Sequence, residues 1–121
     1  MANARILVVD DDTGILEFIG LALGDEGYEV HMATDGVAAL EMARQNPPDL
    51  ILLDMHMPTM DGWEFSEAYK EFPGRRSPIV VLTAARDADG TAKEIDADGS
   101  ITKPFNLEEL LDIVESYTET S

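Results

Sequence analysis

Three short apolar runs constrain the fold most: Ile6-Leu7-Val8-Val9, Leu50-Ile51-Leu52-Leu53 and Ile79-Val80-Val81-Leu82, each ending at a polar residue, respectively Asp10, Asp54 and Thr83. Residues that are apolar at every consecutive position suit strands buried on both faces of a parallel sheet, because a strand with one wet face alternates instead. Tyr28-Glu29-Val30-His31-Met32 does alternate, and Ser100-Ile101-Thr102 is short and weakly apolar. Those two are the expected edge strands.

Between the runs the apolar period lengthens to that of a helix. Ile15, Phe18, Ile19, Ala22 and Leu23 make one stripe, Phe65, Ala68, Tyr69 and Phe72 a second, and Leu107, Leu110, Leu111, Val114 and Tyr117 a third. Val37 to Ala43 is a weaker helical segment that stops before Asn46-Pro47-Pro48, where two residues without an N–H break the pattern. Asn106 with Glu109 three residues later predicts a helix N-cap and its reciprocating glutamate. A fourth helix is expected over Ala88 to Ile95, weakened by Gly90 and by Asp87, Asp89 and Asp96. Five strand–helix repeats with short connections predict a doubly wound α/β fold, flavodoxin-like (βα)5, as one domain over residues 1–121. With strands 2 and 5 at the edges, the order is 2-1-3-4-5, which opens a crevice between strands 1 and 3 beyond their carboxyl ends.

Into that crevice the topology delivers Asp10, Asp11, Asp54, Thr83 and Lys103, residues far apart in sequence. Each has an ordinary alternative role. Asp12 or Thr13 would cap the first helix, a lone aspartate after a strand is commonly a turn residue, and a lysine is commonly solvated. Their convergence on one rim favours a joint role. Hard oxygen ligands of this number suit Mg²⁺, and two positive charges from the metal with one from Lys103 would neutralise three carboxylates.

Composition removes several function classes. With 25 acidic against 8 basic residues the formal net charge is −17, which opposes binding to nucleic acid or to an anionic membrane. A salt-loving host would favour the same acidity. The absence of cysteine excludes disulfides, thiolate nucleophiles and Cys-type metal sites. Met1 to Arg5 leads into only four apolar residues, so a signal peptide is not expected and a cytoplasmic location is. The apolar fraction of 45% is ordinary, so the charge decorates a fold with a core.

Several stretches resemble the response-regulator receiver domain of two-component signalling: Ile6 through Asp12, Pro48-Asp49-Leu50-Ile51-Leu52-Leu53-Asp54, Met57-Pro58-Thr59-Met60-Asp61-Gly62, Val81-Leu82-Thr83-Ala84 and Thr102-Lys103-Pro104-Phe105. The resemblance implies that Asp54 accepts a phosphoryl group and that Asp11 binds Mg²⁺ (or Mn²⁺) directly. Asp10 would bind the metal directly or through water, and the backbone carbonyl of His56 would complete the protein ligands. It implies that Thr83 hydrogen-bonds the phosphoryl group and that Lys103, before a cis Pro104, pairs with it. The partners implied are a histidine kinase or histidine phosphotransfer protein and an unknown downstream protein, with the chain acting as a monomer. The His56 side chain is expected at the crevice mouth as a non-ligand, and His31 on the protein surface.

One departure from the family stands out: the residue three before the lysine, usually aromatic, is Ser100, so the switch is expected to work through residues 84–89, the fourth helix, the fifth strand and the fifth helix. Only residues 116–121 follow the main apolar pattern of the last helix, so a DNA-binding output is not expected. The chain is not expected to be an enzyme beyond self-catalysed phosphoryl transfer and weak autodephosphorylation. A haloacid-dehalogenase-type phosphatase would need a second aspartate where His56 stands, together with a cap domain. A flavodoxin-like cofactor carrier would need a Gly/Ser/Thr-rich loop after strand 1. A degenerate receiver serving only as a phosphorylation-independent adaptor is the remaining alternative, although all five site residues are present.

Overall fold

A computed structural model of the chain describes residues 4–55, 60–72, 77–84, 97–103 and 105–118, with the backbone alone for 83 and 84. The elements in order are β1 (Arg5–Val9), α1 (Thr13–Asp25), β2 (Glu29–Ala33), α2 (Gly36–Gln45), β3 (Leu50–Asp54), α3 (Gly62–Lys70), β4 (Ile79–Ala84), β5 (Gly99–Lys103) and a C-terminal helix (Leu107–Thr118). The expected fourth helix, together with His56 and Pro104, lies outside the described residues.

All strand pairs are parallel and the order is β2-β1-β3-β4-β5. The runs that are apolar at every position divide their side chains between two cores, as a period of two requires. Ile6, Val8, Leu50, Leu52, Val80, Leu82 and Ile101 pack against Leu16, Ile19 and Leu23 of α1 and Leu110 and Val114 of the C-terminal helix. Leu7, Val9, Ile51, Leu53, Ile79 and Val81 pack on the opposite face with Ala39 and Ala43 of α2 and Phe65 and Tyr69 of α3. Every residue of β3 is buried, whereas β2 at one edge keeps Glu29 and Met32 exposed.

The helices begin where short polar side chains cap them. Asp12 accepts from the backbone N–H of Gly14 and Ile15, and Asp35 accepts from Ala38. Asp61 and Glu64 form a reciprocal capping box at α3, and Asn106 and Glu109 form the expected one before the C-terminal helix. Helix α2 ends at Asn46, before the two prolines.

The structure corrects three details of the apolar stripes. In α1 it is Leu16, Ile19 and Leu23 that are buried, while Phe18 is 41% exposed and leans on Phe105 with ring centroids 6.2 Å apart. The inward face is thus rotated from the expected one, because Leu16, left out of the stripe, fills the core. Phe72 lies past the end of α3, its ring 5.1 Å from that of Tyr69, and Leu107 is largely exposed. The second strand starts one residue later than expected, since Tyr28 still donates its N–H to Leu23 of α1.

Gly27 makes that connection possible, with φ at 93°, a conformation that an L side chain resists. Gly24, in the exposed last turn of α1, has open space around the position of a Cβ. Opposite outcomes are expected for the two glycines in urea unfolding. Gly24→Ala should raise stability by about 0.5–1 kcal/mol, and Gly27→Ala should lower it by about 1 kcal/mol or more.

Candidate functional site

Strand register decides which side chains meet. Val9 pairs with Leu53, so the next residues, Asp10 and Asp54, leave the sheet side by side. Asp54 pairs with Leu82, and on the other side of β4 Thr83 and Ala84 pair with Thr102 and Lys103. Four of the five expected rim residues therefore lie at or just past strand ends, within two residues of one level in the sheet.

Asp10 is fully buried and Asp54 is 5% exposed, whereas Asp11 is exposed. One carboxylate oxygen from each of the three lies within 4.8 Å of the others, the one such cluster of potential metal ligands among the described residues. Lys103 reaches into it from β5, its Nζ 2.9 Å from Asp10 Oδ2 and 3.6 Å from Asp54 Oδ1. The other oxygen of Asp10 accepts the backbone N–H of Asp12 at 2.9 Å. The three consecutive aspartates thus divide their work: Asp10 is held by Lys103 and the chain, Asp11 faces outward beside it, and Asp12 caps α1.

The charges do not balance within the cluster, since three carboxylates against one ammonium leave two negative charges. Three oxygen donors so close together, two of them buried, with that residual charge, fit a small divalent cation. The same field acts on Lys103. Burial pushes its ammonium toward deprotonation, but the hydrogen bond and charge of Asp10 with the charge of Asp54 outweigh it and hold the group above the usual lysine range.

Some expected residues are placed less fully. Thr83 is at the end of β4 by its backbone, and its side chain lies outside the description, as does all of His56. His31 is not a bare surface residue: its Nε2 lies 2.7 Å from Glu29, which Arg5 also holds at 2.7 Å, on β1 and β2. The hydrogen bonds from Arg5 and then His31 hold the Glu29 carboxyl below its usual range. Ser100 is half-buried on β5, paired with Val81.

Gly62, within the Met57–Gly62 stretch, has a positioning role that its place in the motif does not state. Gly62 donates its N–H to Met55 at 3.1 Å, and a Cβ there would lie 2.7 Å from Met55 Cα and 3.0 Å from the Asp54 carbonyl oxygen. The signal was available as Asp61-Gly62 before a helical pattern. It needed the contact to be read as the reason for glycine.

The comparisons with known proteins agree with this geometry. The family model of the response regulator receiver domain matches residues 6–115. The chain belongs to the response-regulator receiver family. The response regulator MprA of Mycobacterium sp. (strain KMS) is 43% identical over 109 residues, covering 88% of this chain and 47% of the relative. The chain therefore spans about half the length of the curated relatives it matches. Among solved structures, the chemotaxis response regulator CheY4 of Vibrio cholerae is similar with a TM-score of 0.87 and 35% identity, over 96% of this chain and 99% of that one. The receiver domain of the sensor histidine kinase PA1611 from Pseudomonas aeruginosa PAO1 has a TM-score of 0.87 and 29% identity, over 98% of this chain and all of that one, and holds a magnesium ion in its active-site cleft.

The raised affinity of Lys103 for its proton gives this receiver domain a defined pH dependence. A group whose pKa rises on folding contributes stability below its unfolded value, near 10.5, and loses it as pH climbs through the folded value. Lys103→Met should destabilise the protein at pH 7 by about 1–3 kcal/mol. In urea unfolding across pH, that difference should hold up to about pH 9 and shrink above about 10.5 as lysine loses its proton.

Proposed function

We propose that this receiver domain is a phosphorylation switch that takes a phosphoryl group from a histidine kinase or histidine phosphotransfer protein onto Asp54. The observation that carries the reading is the joining of Asp10, Asp11 and Asp54 around Lys103 at one rim of the sheet. It is supported by the family match and by the magnesium ion in the cleft of the PA1611 receiver domain. Asp10, Asp11 and Asp54, with the backbone carbonyl of His56, would hold Mg²⁺ or Mn²⁺, which when bound neutralises charge shared by the acceptor and phosphoryl oxygens.

In the forward step an oxygen of the Asp54 carboxylate attacks phosphorus. The bond from phosphorus to the donor nitrogen breaks, and its electron pair leaves with the imidazole. Lys103, already directed at Asp54 from 3.6 Å, supplies a fixed positive charge where the transferred oxygens add negative charge. By the family pattern, the hydroxyl of Thr83, a residue near the end of β4, would donate a hydrogen bond to the phosphoryl group. In the return step water attacks the same phosphorus, releasing phosphate and restoring the carboxylate. The chain processes no separate substrate, so its chemistry is acceptance and slow self-hydrolysis rather than enzymatic turnover.

The modified site adds about 1.5–2 negative charges. On this reading the helix expected over residues 88–95 would join β5 and the C-terminal helix in the surface that answers, and a downstream protein would read it. With Ser100 too small to act as an aromatic gate, the response runs through residues 84–96. This reading places the protein in the cytoplasm as a monomer, where the kinase domains that make phosphohistidine work on ATP. No helix among the described residues is long and apolar enough to cross a membrane.

Two measurements test the reading. At ten times its dissociation constant, Mg²⁺ should stabilise the parent by about 1.4 kcal/mol, seen as a rise in melting temperature, and Asp11→Ala should abolish the rise. Incubation with Mg²⁺ and acetyl phosphate should add one acid-labile phosphoryl group to the parent and none to Asp54→Asn, by intact mass. A label mapping to Asp10, Asp11 or Asp12 in the parent would overturn the assignment.

A further inference from the structure

The turn between β2 and α2 carries none of the residues assigned above, yet it touches both halves of the site. Just before the turn, Ala33, the last residue of β2, accepts the backbone N–H of Asp10 at 3.1 Å. Three residues on, Gly36 donates its own N–H to the carbonyl of Met60, also at 3.1 Å. Met60 stands on the connection that leaves Asp54 and returns at Gly62, whose N–H closes onto Met55. The connection from Ala33 to Gly36 therefore bonds to the backbone of the first carboxylate and to the chain that follows the acceptor.

Glycine at 36 is required by proximity. Its φ lies outside the left-handed region, so conformational freedom is not the reason. A Cβ at this position would stand 2.7 Å from Met60 O, 2.7 Å from Met60 Cγ and 2.9 Å from Met60 Cβ. A side chain can rotate away from such a contact, but a carbonyl can move only with its backbone. The amide itself is one of the early N–H groups of α2, which have no partner within the helix. Asp35 serves Ala38, leaving Gly36 to bind outside its own element.

We infer that the β2–α2 connection, from Ala33 at the end of β2 to Gly36 at the start of α2, is a positioning strut that sets the spacing between the Asp10–Asp11 arm and the Asp54 arm of the cation site. Gly36 is its positioning residue. The inference rests on the reading of Asp10, Asp11 and Asp54 as a cation site and adds a determinant of its affinity on an element that supplies no ligand. Groups that orient metal ligands typically change affinity by tenfold or more when altered, because the ligand atoms must be held in place before the ion arrives.

The test is a calorimetric titration with Mg²⁺ alone, on the whole chain. In Gly36→Ala the dissociation constant should rise roughly tenfold. Ser77→Ala is the control for general destabilisation, since Ser77 is buried just before β4, at the opposite end of the sheet, bonded to the Pro48 carbonyl. It should lower the melting temperature while leaving the Mg²⁺ constant within about twofold of the parent. Coupling is reciprocal, so Mg²⁺ must also tighten the strut. In the unmodified protein, amide exchange at Gly36 should slow when Mg²⁺ is added, a readout that stands even if Gly36→Ala does not fold. An unchanged constant in folded Gly36→Ala, or exchange at Gly36 indifferent to bound Mg²⁺, would overturn the inference and leave the cation site intact. Absence of Mg²⁺ binding to the parent would instead overturn the cation site and the inference together.

Discussion

Strands buried on both faces have nowhere to place a charge except where they leave the sheet. In β1 and β3 every interior position is claimed by one of the two cores, so the first polar residue of each must emerge at the carboxyl end. Parallel pairing in register then aligns those ends, and Val9 opposite Leu53 makes Asp10 and Asp54 neighbours. The site is a consequence of that alignment. Nothing local to Asp10 or Asp54 could assemble it, and a slip of one residue would turn the apolar set of a strand onto the wrong face.

What the alignment assembles is an electrostatic conflict. Asp54 faces two carboxylates within 4.8 Å and one ammonium at 3.6 Å. Within this cluster the two repulsions outnumber the one attraction at comparable range. Lys103 is moreover closer to Asp10, at 2.9 Å, and cannot serve both equally. The packing of the two cores holds the carboxylates together in spite of this, as sites poised for a charged ligand commonly require. On the proposed function, a divalent cation would relieve this strain, and its charge would in turn make room for the negative phosphoryl group.

The sequence was most legible where one residue pattern permits one structure. Runs such as Leu50 to Leu53 suit a central parallel strand, and the polar residues that follow the expected strands mark the rim, so Asp10, Asp11, Asp54 and Lys103 could be placed there ahead of any coordinates, while the sheet order was read together with the resemblance to receiver domains. The stripe of α1 was read with the wrong edge because Phe18 and Leu16 are equally apolar in composition, and only packing against Phe105 decides which turns outward. The close-contact roles of Gly36 and Gly62 were hidden for a different reason, although Asp61-Gly62 before a helical pattern does mark a helix start. Each depends on a backbone contact with a segment distant in sequence or folded back on itself, and a glycine's letter does not say what approaches it. Asp12, by contrast, carries its capping role in its own neighbourhood, through the N–H groups of Gly14 and Ile15.

The claim beneath the whole account is that the fold holds Asp54 in place against its charge, so the most direct measurement is urea unfolding of the parent and Asp54→Asn with and without Mg²⁺. Asparagine keeps the shape of the side chain and removes one of the three like charges. The variant is expected to be more stable than the parent in chelator, and the gap should narrow as Mg²⁺ is added, because the ion relieves in the parent what the substitution has already relieved in the variant. A variant equal to or less stable than the parent in chelator, or a gap that ignores Mg²⁺, would contradict the account.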